Sequence, residues 1–127
     1  MRSRDWLGAY SLEFVTAQNA LLCRAKNALH QPASDSHGET RELWEGKHLL
    51  PMSLTEAVEL CRRCHRMAPF CCYNGNTFAA IMRDVIVSLE LPPEQMVLVR
   101  SLVGHIVAGV ATGEEEAAFR EFCESLD

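Results

Sequence analysis

Four of the six cysteines in this 127-residue chain fall between Cys61 and Cys72, together with His65, Arg62, Arg63 and Arg66. Cys61, Cys64 and His65 stand at i, i+3 and i+4, which on a helix places all three on one side. Such a triplet can ligate zinc or iron, and Cys71 or Cys72, returning after Pro69, could complete a tetrahedral set. The nearby arginines would favour the thiolate forms that a metal needs. The adjacent Cys71-Cys72 pair departs from usual zinc spacing, in which the second two ligands are also separated by intervening residues.

The same run spells C-x-x-C-H, the attachment pattern of covalent haem. Attachment follows export, and no cleavable signal is read here, because Tyr10, Ser11 and Glu13 interrupt the stretch after Trp6. Covalent haem is therefore disfavoured. A thiol-redox or sensing role is a further option, although the pair lies near the C-terminal end of its helix, where the dipole opposes thiolate formation. Core packing competes with all three chemistries, since Cys61 and Cys64 continue an apolar stripe of Leu54, Ala57, Val58 and Ala68 and free cysteine is a small hydrophobe. It accounts less well for His65, Cys71 and Cys72.

Other chemistry is sparse. His105 lies in an apolar segment and reads as a core histidine. Asn74, Asn76 and Thr77 form a polar stretch at a helix start, where backbone N–H groups welcome anions. Asp84 and Glu90 are single acids without an evident partner, so no acid–base pair can be named. No Gly-rich phosphate loop, nucleophile elbow or H-E-x-x-H run occurs. No catalytic residue is assigned.

These residues must be positioned by helices. Apolar residues make up 48% of the chain, aromatics only 7%, and no stretch alternates strictly as a strand would. A first helix is expected over roughly Ser3 to Leu29, with Ser3 as N-cap and Trp6, Tyr10, Phe14, Ala17, Leu21, Ala25 and Ala28 as its core face. Cys23 lies off that stripe. Residues 31–39 form a polar loop, followed by a short helix capped by Thr40 and carrying Leu43 and Trp44. Ser53-Leu54-Thr55-Glu56 is a capping box that opens the cysteine helix, which Pro69 should end near Ala68.

Asn76 or Thr77 should cap the next helix, running to about Leu91. Pro93 suits the first turn of a helix over Glu94 to Ala111, apolar on nearly every side and hence expected to be the central one. Its small residues Ser101, Gly104, Ala108 and Thr112 could admit a neighbouring helix. Thr112 to Glu115 is a second capping box, opening an acidic C-terminal helix over 113–127. The fold class is all-α, a compact single-domain bundle of five or six helices over residues 1–127.

Net charge is −5. Residues 114–127 hold six acids against Arg120, which leaves the rest of the chain neutral. A broad basic footprint is missing, so nucleic acid is not an expected partner. The longest apolar run, Met96 to Ala111, is broken by Arg100 and His105 and is too short to span a bilayer. Six cysteines without an export signal suit the cytoplasm. The expected function is non-enzymatic: a small helical protein acting through a protein partner or self-association. Trp6, Tyr10 and Trp44 are its candidate anchors. The alternative is a metal-binding or thiol-redox module built on Cys61, Cys64, His65, Cys71 and Cys72.

Overall fold

A computed structural model of the chain describes residues 3–126. It is all-helical, with six helices: α1 (Leu12–Ala25), α2 (Ser36–Lys47), α3 (Leu54–Met67), α4 (Asn74–Val87), α5 (Pro93–Ala108) and α6 (Gly113–Ser125). Among the described residues the only extended pairings are two isolated antiparallel bridges, Arg4 with Met52 and Pro32 with Phe70. One core takes side chains from all six helices, with Trp44, Phe78, Leu54, Ile81 and Met82 fully enclosed.

Local chemistry explains most helix ends. The Ser53 hydroxyl accepts the Glu56 N–H at 3.1 Å, while the Glu56 carboxylate accepts the Ser53 N–H at 3.0 Å. Thr112 and Glu115 make the same reciprocal pair, both bonds at 3.1 Å. Each box satisfies two donors that a helix start would otherwise leave orphaned. Pro93 occupies the first turn of α5, and Gly109 (φ 78°) ends it in the left-handed conformation that a glycine adopts without a Cβ clash.

The N-terminal segment departs from the sequence expectation. Helix α1 begins at Leu12, where the Ser11 hydroxyl accepts the Phe14 N–H at 3.1 Å, and Ser3 caps nothing. Residues before it are drawn out of helical geometry by a non-local bridge, in which Arg4 and Met52 exchange backbone bonds of 2.8 and 3.0 Å. The core face is also different. Leu12, Val15, Asn19 and Cys23 point inward, whereas Phe14, Ala17, Leu21 and Ala25 are exposed.

Two further helices start earlier than their capping residues suggested. Helix α2 opens at Ser36, and Thr40, one turn in, is buried with its hydroxyl donating back to the Ser36 carbonyl at 2.8 Å. Helix α4 opens at Asn74 after a left-handed Tyr73 and ends at Val87. It is α4, rather than α5, that is central. It packs against α1, α3 and α5, while the first turns of α5 leave Val97 and Leu98 in solvent. At Gly104, on the small-residue line of α5, the guanidinium of Arg83 from α4 fills the space a Cβ would take.

Candidate functional site

The C-x-x-C-H run lies on α3 as its spacing required, and packing then decides its chemistry. Cys61 and Cys64 are fully buried in the core. Burial, reinforced by neighbouring Cys64, raises the Cys61 thiol well above its ordinary range. Burial likewise pushes Cys64 up to about 12, and the Arg63 charge offsets this only in part. Desolvation is the largest influence on both groups, and it favours the protonated thiol. Arg62 turns away to an ion pair with Glu116 at 3.1 Å, with Glu59 further off at 4.0 Å.

His65 serves as a strut. Its Nδ1 lies 2.8 Å from the Val107 carbonyl, so the ring donates there and ties α3 to the end of α5. On its other side the ring approaches Gly75, where an added Cβ would sit 3.2 Å from it. The chain after α3 then carries Cys71 and Cys72 elsewhere. Residues 31–33 run antiparallel to 69–71, with Ala33 N–H to Pro69 C=O at 2.8 Å and Cys71 N–H to Gln31 C=O at 3.0 Å. Cys71 is exposed and Cys72 half-buried. Cys61, Cys64, His65, Cys71 and Cys72 are thus not assembled into one ligand set. Among the described residues no group of three or more His, Cys, Asp or Glu side chains is placed to hold a metal ion.

What the return segment does build is a polar network around Asn19, a residue that sequence reasoning passed over. Asn19 is completely buried, and all four hydrogen-bonding positions of its amide are used. Nδ2 donates to the Cys72 carbonyl at 2.8 Å and to Thr77 Oγ1 at 3.0 Å. Oδ1 lies 2.8 Å from His30 Nδ1 and 3.5 Å from Cys23 Sγ, and accepts from both. Thr77, also fully buried, passes its own proton to the Tyr73 carbonyl at 2.8 Å. One amide therefore joins α1, the segment after it, the α3–α4 connection and α4.

Neighbouring polar groups are consumed in the same way. The Asn74 side chain brackets Phe70, accepting its N–H at 2.9 Å and donating to its carbonyl at 2.8 Å. This leaves Asn74 and Thr77 with structural duties in place of the anion site their position suggested. His30 reaches solvent in an open groove of about 500 Å³ lined also by Leu12, Thr16, His37, Arg41 and Phe70.

The aromatic candidates separate. Trp44 is fully enclosed, donates from Nε1 to the Tyr10 carbonyl at 2.8 Å and stacks on His48 with centroids 5.8 Å apart. Tyr10 is buried, and its hydroxyl donates to Asp84 Oδ2 at 2.6 Å. Burial first, then this bond to Asp84, raises the phenol above its ordinary range. Both side chains hold the fold and are not surface anchors. Trp6 is half-buried beneath the Arg4 guanidinium, 5.0 Å from the ring centroid. His105 is likewise not a core histidine, being half-exposed and 2.6 Å from Glu115.

Part of the open apolar surface lies on α1, α4 and α5, and Leu29, Leu49, Leu50 and Val110 in the connections are exposed as well. Phe14 and Gln18, Arg83, Asp84 and Val87, and Arg100 line one groove of about 280 Å³. Phe14 is 44% exposed and Val87 47%. Leu21 (58%) follows Gln18 by one turn, and Val97 (71%) precedes Arg100 by one turn. Among the described residues no helix is long and apolar enough to cross a membrane. Comparison with family models, with curated proteins and with solved structures yields no match for this chain.

Proposed function

We propose that this protein is a non-enzymatic helical interaction module that engages a protein partner through the α1/α4/α5 face. The observation that carries this reading is the outward apolar stripe of α1. That helix already buries one face, through Leu12, Val15 and Cys23, yet shows a second apolar face of Phe14, Ala17, Leu21 and Ala25 to solvent. Exposed apolar side chains grouped beside polar ones mark interaction surfaces more often than scattered single residues do. Arg83 and Arg100 flank the groove. They suit a partner segment that presents apolar side chains with acidic neighbours, so complementary charge would orient the encounter.

We place the protein in a reducing, cytoplasmic setting, which suits four cysteines buried as thiols.

The test is a paired surface substitution, Phe14→Ser with Val87→Ser, in the full chain. Cross-linking in the native cell extract and sedimentation of the purified protein should reveal a defined partner or a discrete oligomer. The paired variant should lose it while keeping the parent melting temperature. An association that survives the paired substitution unchanged, or a strict monomer that captures no partner, would overturn the reading.

A further inference from the structure

We propose that Cys72 and Cys23 form a peroxide-oxidisable dithiol pair, which closes to a disulfide between the α3–α4 connection and α1. A single planar amide links the Cys23 thiol to the Cys72 backbone. Asn19 Oδ1 accepts from the Cys23 thiol at 3.5 Å, and its Nδ2 holds the Cys72 carbonyl at 2.8 Å. Backbone bonds fix both ends. Ala28 N–H donates to the Cys23 carbonyl at 2.8 Å, and Cys71 N–H to Gln31 at 3.0 Å. The chain leaving α1 is thereby folded back along the strand-like residues that lead into Cys72.

The two cysteines differ in the way a reacting and a resolving thiol must. Cys72 is half-buried beside the exposed Cys71, within reach of a small solute, whereas Cys23 is fully enclosed. Burial first, then the nearby Cys72 and Cys71, raises the Cys23 thiol, which favours its protonated form and disfavours it as the first thiol to react. Cys61 and Cys64 sit apart in the dry core and take no role.

The chemistry balances with hydrogen peroxide as oxidant. The Cys72 thiolate attacks one peroxide oxygen, the O–O bond breaks, and hydroxide leaves to become water with the proton that Cys72 released. Cys72 is then a sulfenic acid. Cys23 Sγ attacks that sulfur, the S–O bond breaks, and the departing hydroxide takes the Cys23 proton as a second water. Two thiols give up two electrons, and one peroxide is reduced to two waters. The Asn19 oxygen loses its thiol donor and retains His30.

The experiment treats the full-length protein with stoichiometric hydrogen peroxide, quenches it, and maps linked peptides without reductant. A Cys23–Cys72 linkage that reductant reverses is expected, with Cys61 and Cys64 still reduced. Cys71→Ser should retain the linkage and Cys72→Ser should abolish it. In Cys23→Ala the sulfenic acid should persist on Cys72 and be trapped by dimedone several-fold more than in the parent. Linkage confined to Cys71 with Cys72, linkage only between molecules, or a Cys23 thiol that stays free while Cys72 is oxidised would each overturn the proposal. These mappings on the parent chain decide the matter even where a variant fails to fold.

Discussion

Replacing Asn19 by alanine should reveal how much the buried amide contributes. The substitution removes four hydrogen bonds and strands the Cys72 carbonyl and the Thr77 hydroxyl against α1. A net protein hydrogen bond contributes about 1 kcal/mol, and a buried acceptor left unsatisfied costs a further ~1–3 kcal/mol. The thiol bond is weak and His30 is exposed, so those two partners contribute less. Thr77 keeps its bond to Tyr73. A loss of about 3 kcal/mol results. Unfolding entropy near 2.1 cal/mol/K per residue then converts this, for 127 residues, into a fall in Tm of about 11 °C.

Thermal unfolding followed by circular dichroism measures the effect. Asn19→Asp supplies the signature of hydrogen bonding as opposed to packing. Its carboxylate keeps the shape but cannot donate to the Cys72 carbonyl, and burial raises its pKa above that of the unfolded chain. The variant should therefore be weakest near neutral pH and recover as the pH falls toward 5, when the protonated acid donates once more. An Asn19→Ala variant that melts within about 4 °C of the parent would refute the reasoning, because that corresponds to only ~1 kcal/mol. So would an aspartate variant with no pH dependence beyond the parent's.

Two further outcomes follow from the same packing. The Tyr10 phenol is raised by burial and its bond to Asp84, so its contribution is complete below the unfolded-state value near 10 and is lost as the pH climbs above it. Tyr10→Phe should cost about 1–2 kcal/mol at neutral pH and flatten the decline above pH 10 in alkaline unfolding curves. Thiol counting with an alkylating reagent on the native protein should label Cys71 and Cys72 rapidly. Cys23, Cys61, Cys64 and Cys123, all buried, should react only after denaturation, and rapid native labelling of Cys61 or Cys64 would contradict the packing described here.

Features written within a few residues of one another were legible before folding. Ser53 with Glu56, Thr112 with Glu115, and Pro93 in a first turn each act through groups no more than three positions apart. Their geometry is set by the backbone they sit on, so sequence determined both capping boxes, the stop after α3 and the all-helical class. Ser11 carried the same kind of signal for the true start of α1, but the periodic Trp6 and Tyr10 masked it.

Tertiary structure decided the rest. Helix α1 is apolar on two sides, and hydrophobicity alone cannot choose between equivalent faces. The choice fell to the packing of α1 on α4, which buried Val15, Asn19 and Cys23 and left Phe14 and Leu21 outside. The cysteine run shows the same limit. Its spacing placed Cys61, Cys64 and His65 on one side of a helix, which any helix would do. Whether Cys71 and Cys72 rejoined them depended on where residues 31–33 paired with 69–71, and on an asparagine 53 residues before Cys72. Hydrogen bonds between such distant segments leave no periodic trace in a sequence, because they form only once other elements have brought the two chains together.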